Sequence, residues 1–265
     1  MDKPLEIESN IPTKSKKPLE IIYLENVARS DTFANVVGDV NMPGWSFGRM
    51  TDESEDKNTA NLFWQQNMQR SSWCTEVLWY EILVKLEEVA PTTKNYQFKV
   101  SGVVCGGKTF GQDGSIHTDK DFEFNEEGDG YMTVCFFPNE EWNPEWGGEF
   151  QFFNDSGDVI ATYYPKPNTC LVFDSNIPHR GLAPTRNCNR LRKCLTYTTF
   201  VHKQWFLESN PDVKMIDGSV VPGLTNTPTR TIFDQGADNS NPNPVFKEPV
   251  PVGTAPTTSK KRIKK

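Results

Sequence analysis

Histidine is scarce in this chain: there are three in 265 residues. Chemistry that needs many imidazoles, such as a cupin-type metal isomerase, is poorly supplied. The six cysteines contain no Cys-x-x-Cys pair, so a zinc ribbon or a redox motif is not supported. Cys74, Cys105, Cys135, Cys170, Cys188 and Cys194 are widely spread. Four of them (Cys105, Cys135, Cys170 and Cys194) lie in apolar, strand-like runs, where a free thiol behaves as a small hydrophobe. Reduced structural thiols in a cytoplasmic protein are therefore expected. No run approaches the ~20 apolar residues of a membrane span. Residues 1–17 lack the apolar stretch of a secretory leader. A soluble intracellular protein with no membrane partner is expected. A basic excess is also missing: the net charge of −7 argues against nucleic-acid binding by the whole surface.

The chain has room for one large domain or two small ones, and can bury a core without disulfide or metal staples. Aromatic residues are plentiful at 12%, including seven Trp, which favours a packed, β-containing fold. Residues 1–18 read as a loose arm of charges and prolines. Residues 19–27 are a strand candidate, and Ser30-Asp31 are placed to cap a short helix through Val37. Residues 58–68 read as a short helix or a loop. The clearest helix covers 72–89, where Cys74, Val77, Leu78, Ile82, Leu86 and Val89 recur every three to four residues, until Pro91 ends it. We expect it to pack on a sheet.

From residue 96 onward the pattern changes to short β-rich runs: 96–105, 115–119, 130–137, 149–153, 159–164, 169–173, 179–183 and 192–201. Gly-Gly, Gly-Asp-Gly and Pro-Lys-Pro turns separate them. Helix-rich first and strand-rich later is an α+β arrangement around a sandwich or barrel. The expected domain spans 19–206, with helical support over 19–92 and the β core over 93–206. Residues 207–265 are rich in Pro, Asn and Thr and read as an extended or disordered tail. It ends in a basic run, 260–265, suited to an anionic surface or to plain solvation.

Two of the three histidines fall in 116–200. His117 is followed two residues later by Asp119, and His179 follows Pro178. A His-x-Asp pair arises readily by chance, and a surface histidine or a residue after a proline turn is the dull alternative. On a strand, however, residues two apart share a face. His117 and Asp119 can then aim an imidazole and a carboxylate into one barrel mouth, with His179 closing the set from another strand. Two His and one carboxylate on one face is the ligand pattern of non-haem Fe(II) oxygenases. His202 has no such neighbourhood and is read as non-catalytic.

Over 115–200 the chain resembles the 2-oxoglutarate- and Fe(II)-dependent dioxygenases, in their prolyl 4-hydroxylase-like branch. The resemblance rests on His117-Thr118-Asp119, Gly128-Asp129-Gly130, Asn139-Glu140-Glu141-Trp142 and Trp146-Gly147-Gly148-Glu149-Phe150. It continues through Leu171-Val172-Phe173-Asp174, Pro178-His179, and an Arg-led last strand with Thr196 in phase. It implies a double-stranded β-helix (jelly-roll) core with supporting N-terminal helices. It also implies Fe(II) held by His117, Asp119 and His179, with 2-oxoglutarate as cosubstrate, O2, and ascorbate as reductant. By position, Arg192 would meet the far carboxylate of the cosubstrate, with Thr196 adding a hydroxyl. Arg190 and Lys193 stay open for that role, because the interval from His179 to Arg192 is longer than usual in the family. Many prolyl hydroxylases have a tyrosine where Phe136-Phe137 stand, and Tyr131, Thr133 and Tyr197 are candidates to replace its hydroxyl. Trp142, Trp146 and Phe122–Phe124 are placed for a substrate lip. The acidic loop of Asp121, Glu123, Glu126 and Glu127 suits a polypeptide better than a phosphate backbone.

The resemblance implies hydroxylation of an unactivated C–H, most simply of a prolyl residue in a protein or peptide, releasing succinate and CO2. Competing readings are a nucleic-acid demethylase of the same superfamily and a non-catalytic metal-binding jelly-roll module. The demethylase would normally carry a second arginine where Thr198 stands.

Overall fold

A computed structural model describes residues 21–50, 61–91, 93, 96–120 and 129–202, together with the backbone of 231–233. The expected arm, the acidic loop 121–128 with Phe122–Phe124, and most of the tail lie outside the described residues. The chain divides into units 1–235 and 236–265, and the described residues all belong to the first.

The elements run β1 (Ile21–Glu25), α1 (Ser30–Val40), β2 (Ser46–Arg49), β3 (Phe63–Asn67), a π-helical turn (Trp73–Val77) leading into α2 (Leu78–Val89), and β4 (Gln97–Lys108). They continue through β5 (Gly130–Phe137), β6 (Phe150–Phe153), β7 (Val159–Tyr163), β8 (Thr169–Asp174), β9 (His179–Gly181), β10 (Arg192–His202) and β11 (Thr231–Phe233). The major sheet has the order β1-β8-β5-β10-β4-β3-β2, with β11 pairing β4 in parallel. The minor sheet has the order β7-β6-β9. This is the jelly-roll core with supporting helices that the family resemblance implied.

The central strands are buried on both faces, so their alternation separates two cores. On β5, Met132, Val134 and Phe136 point to the helices, while Cys135 and Phe137 point between the sheets. On β8, Cys170 and Val172 take the helix side, and Leu171 and Phe173 the inner side. On β10, Leu195, Tyr197 and Val201 face the helices and Cys194 faces inward. Each fully buried large apolar side chain contributes about 1.5–3 kcal/mol, so both cores are substantial.

Helix α2 lays Leu78, Ile82 and Leu86 on the outer core and leaves Tyr80 and Val84 exposed, as the 3–4 spacing required. Trp79 packs on Tyr197 with centroids 4.9 Å apart, and the Tyr197 hydroxyl donates to the Cys74 carbonyl at 2.6 Å. The phenol thereby satisfies a carbonyl of the π-helical turn.

Three local expectations are corrected. Residues 63–67 form a strand, not a helix or loop, because β3 pairs with β4 through Gln65↔Gly106 and its neighbours. Tertiary pairing overrides a weak local preference there. Residues 115–119 are not a strand; they touch the sheet by one isolated bridge, His117↔His179. Neither Ser30 nor Asp31 caps α1. Glu81 of α2 does the work from a distance, accepting from the Arg29 backbone N–H at 2.9 Å, Arg29 Nε at 2.7 Å and the Thr32 hydroxyl at 2.9 Å. A carboxylate at a helix N-terminus is favourable both as an acceptor and against the helix dipole.

Candidate metal centre

His117, Asp119 and His179 converge. Each offers one ligand atom, and these atoms all lie within 4.8 Å of one another. His117 Nε2 is 3.5 Å from Asp119 Oδ1, and His179 Nε2 is 3.6 Å from Asp119 Oδ2. A first-row divalent ion with bonds of about 2.0–2.2 Å places adjacent ligands about 3 Å apart, so a small inward shift seats one. The donor set therefore fits Fe(II).

Backbone bonds hold the three in place. His117 and His179 exchange N–H···O bonds of 3.0 and 2.9 Å, and Asp119 N donates to the Ser175 carbonyl at 2.9 Å. Both imidazoles have Nδ1 next to a carbonyl, Ser115 at 3.1 Å and Ile177 at 2.8 Å. Those contacts fix the proton on Nδ1 and leave each Nε2 lone pair for a metal. The Thr133 hydroxyl donates to Asp119 Oδ2 at 2.5 Å and lies 2.8 Å from the Ser175 hydroxyl. In sequence Thr133 is one of three candidates, with Tyr131 and Tyr197, for the cosubstrate end; in the fold its hydroxyl orients the ligand carboxylate.

Electrostatics prepare the same set for a cation. Burial pushes the His179 imidazole down to about 4; Asp119 opposes this and His117 adds to it. His179 is thus neutral and able to ligate at physiological pH. Burial alone would raise the Asp119 carboxyl, but the His117 hydrogen bond, the His179 charge and the Thr133 hydroxyl together hold it below its ordinary value. The remaining wall of His179 is aromatic: Phe150 stacks on it at 5.3 Å and Phe173 meets it edge-on at 4.8 Å. That packing fixes the ring and keeps water from its face.

Further into the space between the sheets stands Arg192, 2% exposed. Its Nε donates to the Gly148 carbonyl at 2.6 Å, and its guanidinium lies 5.7 Å from the Phe137 ring centre. Arg192 Nη2 is buried without a hydrogen-bond partner. Two glycines make room for it: a Cβ on Gly148 would come 3.2 Å from Arg192 Cδ, and one on Gly181 would come 3.4 Å from Nη2. Gly148 also has φ +76°, a conformation that only glycine adopts easily. The side chains of Arg192, Phe137, Phe150 and His179 thus form one continuous wall from the guanidinium to the metal ligands.

The alternatives for this position separate cleanly. Arg190 is exposed and pairs with Glu141 at 2.9 Å. Lys193 points away from the inner core, with Nζ on Asn41 Oδ1 at 2.6 Å. Thr196 lies inward, its hydroxyl 3.8 Å from the thiols of both Cys135 and Cys194. The tyrosine substitutes do not reach. Tyr131 packs on Phe200, and Tyr197 is committed to Cys74 on the helix side. Trp142 and Trp146 form an edge-to-face pair beside Gly147-Gly148, next to Arg192. His202 pairs with Asp129 at 2.7 Å.

One buried basic residue of this space has no signal in the sequence. Lys108, the last residue of β4, is 8% exposed and faces Arg192 across the strands in direct register. A lysine closing an apolar strand after Gly106-Gly107 reads as a solvated strand end, and only the register with Arg192 says otherwise.

Two histidines and a carboxylate thus converge on a jelly-roll core that buries an arginine between its sheets. Residues 103–202 match the family model described as the 2OG-Fe(II) oxygenase superfamily. The superfamily implies Fe(II), 2-oxoglutarate and O2. Among solved structures, an oxidoreductase of the 2OG-Fe(II) oxygenase family from Burkholderia pseudomallei superposes with a TM-score of 0.51 at 11% identity, covering 69% of this chain and 85% of that one. A prolyl-4-hydroxylase from Pseudomonas putida gives 0.46 at 14% identity, over 70% and 94% of the two chains. A prolyl hydroxylase from Trichoplax adhaerens, in complex with a hypoxia inducible factor oxygen degradation domain peptide fragment, gives 0.49 at 15%, over 70% and 84%. These likenesses concern the fold. No curated protein matches the chain.

Proposed function

We propose that this protein is an Fe(II)- and 2-oxoglutarate-dependent hydroxylase of a protein or peptide, most simply at a prolyl residue. The overall reaction converts 2-oxoglutarate, O2 and an R–H group into succinate, CO2 and R–OH. One observation carries the reading: the ligand triad shares one aromatic-walled space with the buried Arg192, whose Nη2 has no hydrogen-bond partner among the described residues. When bound, Fe(II) would supply the O2 chemistry that no side chain here can perform.

The chain's own residues have definite tasks. His117, Asp119 and His179 would hold the metal on one face and leave the other positions open. Arg192 would take the far carboxylate of the cosubstrate through Nη2, and Thr196 would offer a hydroxyl beside it. Phe137, Phe150 and Phe173 would exclude water between the two ends. Outside, Ile116 (48% exposed, next to His117) and Phe110 (56%, with Arg186 over its ring at 5.2 Å) offer an apolar rim to a peptide. A cytoplasmic setting agrees with six free cysteines, five of them buried.

The test is purified protein with Fe(II), ascorbate and 2-oxoglutarate. Slow succinate release without a prime substrate is expected, rising with a peptide pool that yields +16 Da products (one added oxygen atom). Arg192→Ala should raise the 2-oxoglutarate requirement sharply. Bound metal with no succinate under any peptide or oligonucleotide pool would instead leave a non-catalytic module. Products confined to oligonucleotides would identify a nucleic-acid oxygenase.

A further inference from the structure

Two basic side chains lie side by side in the interior with no carboxylate between them among the described residues. Arg192 and Lys108 are 2% and 8% exposed and sit opposite each other in the β10–β4 register, so both point between the sheets. Among the described residues, neither has a carboxylate within ion-pair distance. Lys108 Nζ donates to the Gly181 carbonyl at 2.8 Å, and a Cβ on the same Gly181 would touch the Arg192 guanidinium at 3.4–3.6 Å. Gly181 is therefore the point where both cationic heads meet. Buried charges in proteins are paired, because an unpaired one keeps its desolvation cost. An arrangement of two cations, one of them with an orphaned Nη2, is a site for an anion that arrives with a ligand.

We propose that Lys108 is the second cation for the far carboxylate of the cosubstrate, supplying the contact that Phe137 lacks. The inference rests on the reading of this space as a 2-oxoglutarate pocket and adds to it a residue from a different strand. Phe137 offers its ring face to the Arg192 guanidinium and has no hydroxyl to give. The ammonium is supported on its other side by the Phe63 ring, 4.9 Å from Nζ to the centroid. The groups facing Lys108 are Arg192 and Cys194 of β10 and Asp113 after β4. Burial first, and Arg192 second, push the empty-state ammonium down to about 7, against Cys194 and Asp113. A carboxylate between the two cations reverses that balance, so Lys108 takes up a proton as the ligand binds near neutral pH.

The experiment is calorimetric titration of the Zn(II)-loaded full chain with 2-oxoglutarate, and with 2-oxobutanoate, which keeps the keto acid and lacks the far carboxylate. Wild type, Lys108→Met and Lys108→Gln are compared. Both variants should lose about tenfold in affinity for 2-oxoglutarate and stay within about twofold for 2-oxobutanoate. Wild type at pH 7.5 should show a buffer-dependent binding enthalpy equal to a fraction of one proton, absent from Lys108→Met. Glutamine keeps a donor for the Gly181 carbonyl but carries no charge. Wild-type affinity in Lys108→Gln, or equal losses for both ligands, would make Lys108 a structural strut and overturn the inference. Failure of wild type to bind 2-oxoglutarate would overturn the cosubstrate reading itself. Binding in wild type that Lys108→Met leaves unchanged would overturn only the role of Lys108.

Discussion

Replacing Lys108 with methionine is expected to stabilise the ligand-free protein, and to do so more at pH 6 than at pH 8.5. In the unfolded chain the lysine holds its proton up to ~10.4, whereas in the folded protein burial and Arg192 bring it to about 7. Between those values the unfolded state binds more protons, so this group makes stability rise with pH. At pH 6 the folded protein carries nearly the whole cost, about 5 kcal/mol at ~1.4 kcal/mol per tenfold; at pH 8.5 the cost has fallen to about 3 kcal/mol. Methionine loses the hydrogen bond to the Gly181 carbonyl, worth about 1 kcal/mol, and a Phe63 contact of similar or smaller size. That carbonyl stays satisfied, because Gly114 N also donates to it at 3.0 Å. The net gain is then about 3 kcal/mol at pH 6 and about 1 kcal/mol at pH 8.5, which narrows the Tm gap by about 4–8 °C in a domain of this size. Urea and thermal unfolding of wild type and variant at both pH values measure it. Taking the difference cancels groups common to both proteins, such as the buried Cys105 and Cys170 thiols, whose raised pKa values act in the opposite sense. A gap that is the same at both pH values, or a variant less stable than wild type at pH 6, would refute the reasoning.

Three further outcomes are expected. His117→Ala and Asp119→Ala should abolish stoichiometric metal binding and turnover while leaving the circular dichroism unchanged, since neither side chain belongs to the apolar cores; a collapsed spectrum would show that the triad is structural. Thr133→Val keeps the shape and removes the hydroxyl on Asp119 Oδ2, so metal affinity should fall by about 10–100-fold with little change in Tm. Gly148→Ala puts a Cβ at φ +76°, 3.0 Å from Trp142 and 3.2 Å from Arg192. It should cost about 1–2 kcal/mol of stability from the left-handed backbone alone and also raise the KM for 2-oxoglutarate, which thermal melts and steady-state kinetics separate.

Much of this protein was legible along the chain because its signals are local. Strand alternation on 130–137, 169–173 and 192–201 follows from side chains pointing to opposite faces, and the same periodicity placed Arg192, Cys194 and Thr196 on one side. The 3–4 spacing on 72–89 told which stripe of α2 is buried. His117, Asp119 and His179 were selected by residue chemistry and by order. What the local pattern could not carry was pairing over distance. Residues 63–67 are a strand because β4 offers an edge to them, and the start of α1 is held by Glu81, some fifty residues away. Residues 115–119 bring His117 and Asp119 together through one bridge and the Ser175 carbonyl, without a strand.

The sequence by itself determined the residue types offered as ligands and the phase of the strands. Each of these is written in residue type and spacing, which the backbone geometry translates directly. Only the tertiary structure decided which cation enters the barrel. Arg190, Arg192 and Lys193 are neighbours in sequence, but solvent, the inner core and Asn41 claim one each. It also decided that Lys108 stands beside Arg192, because a residue eighty-four positions away becomes a neighbour only through the register of two antiparallel strands.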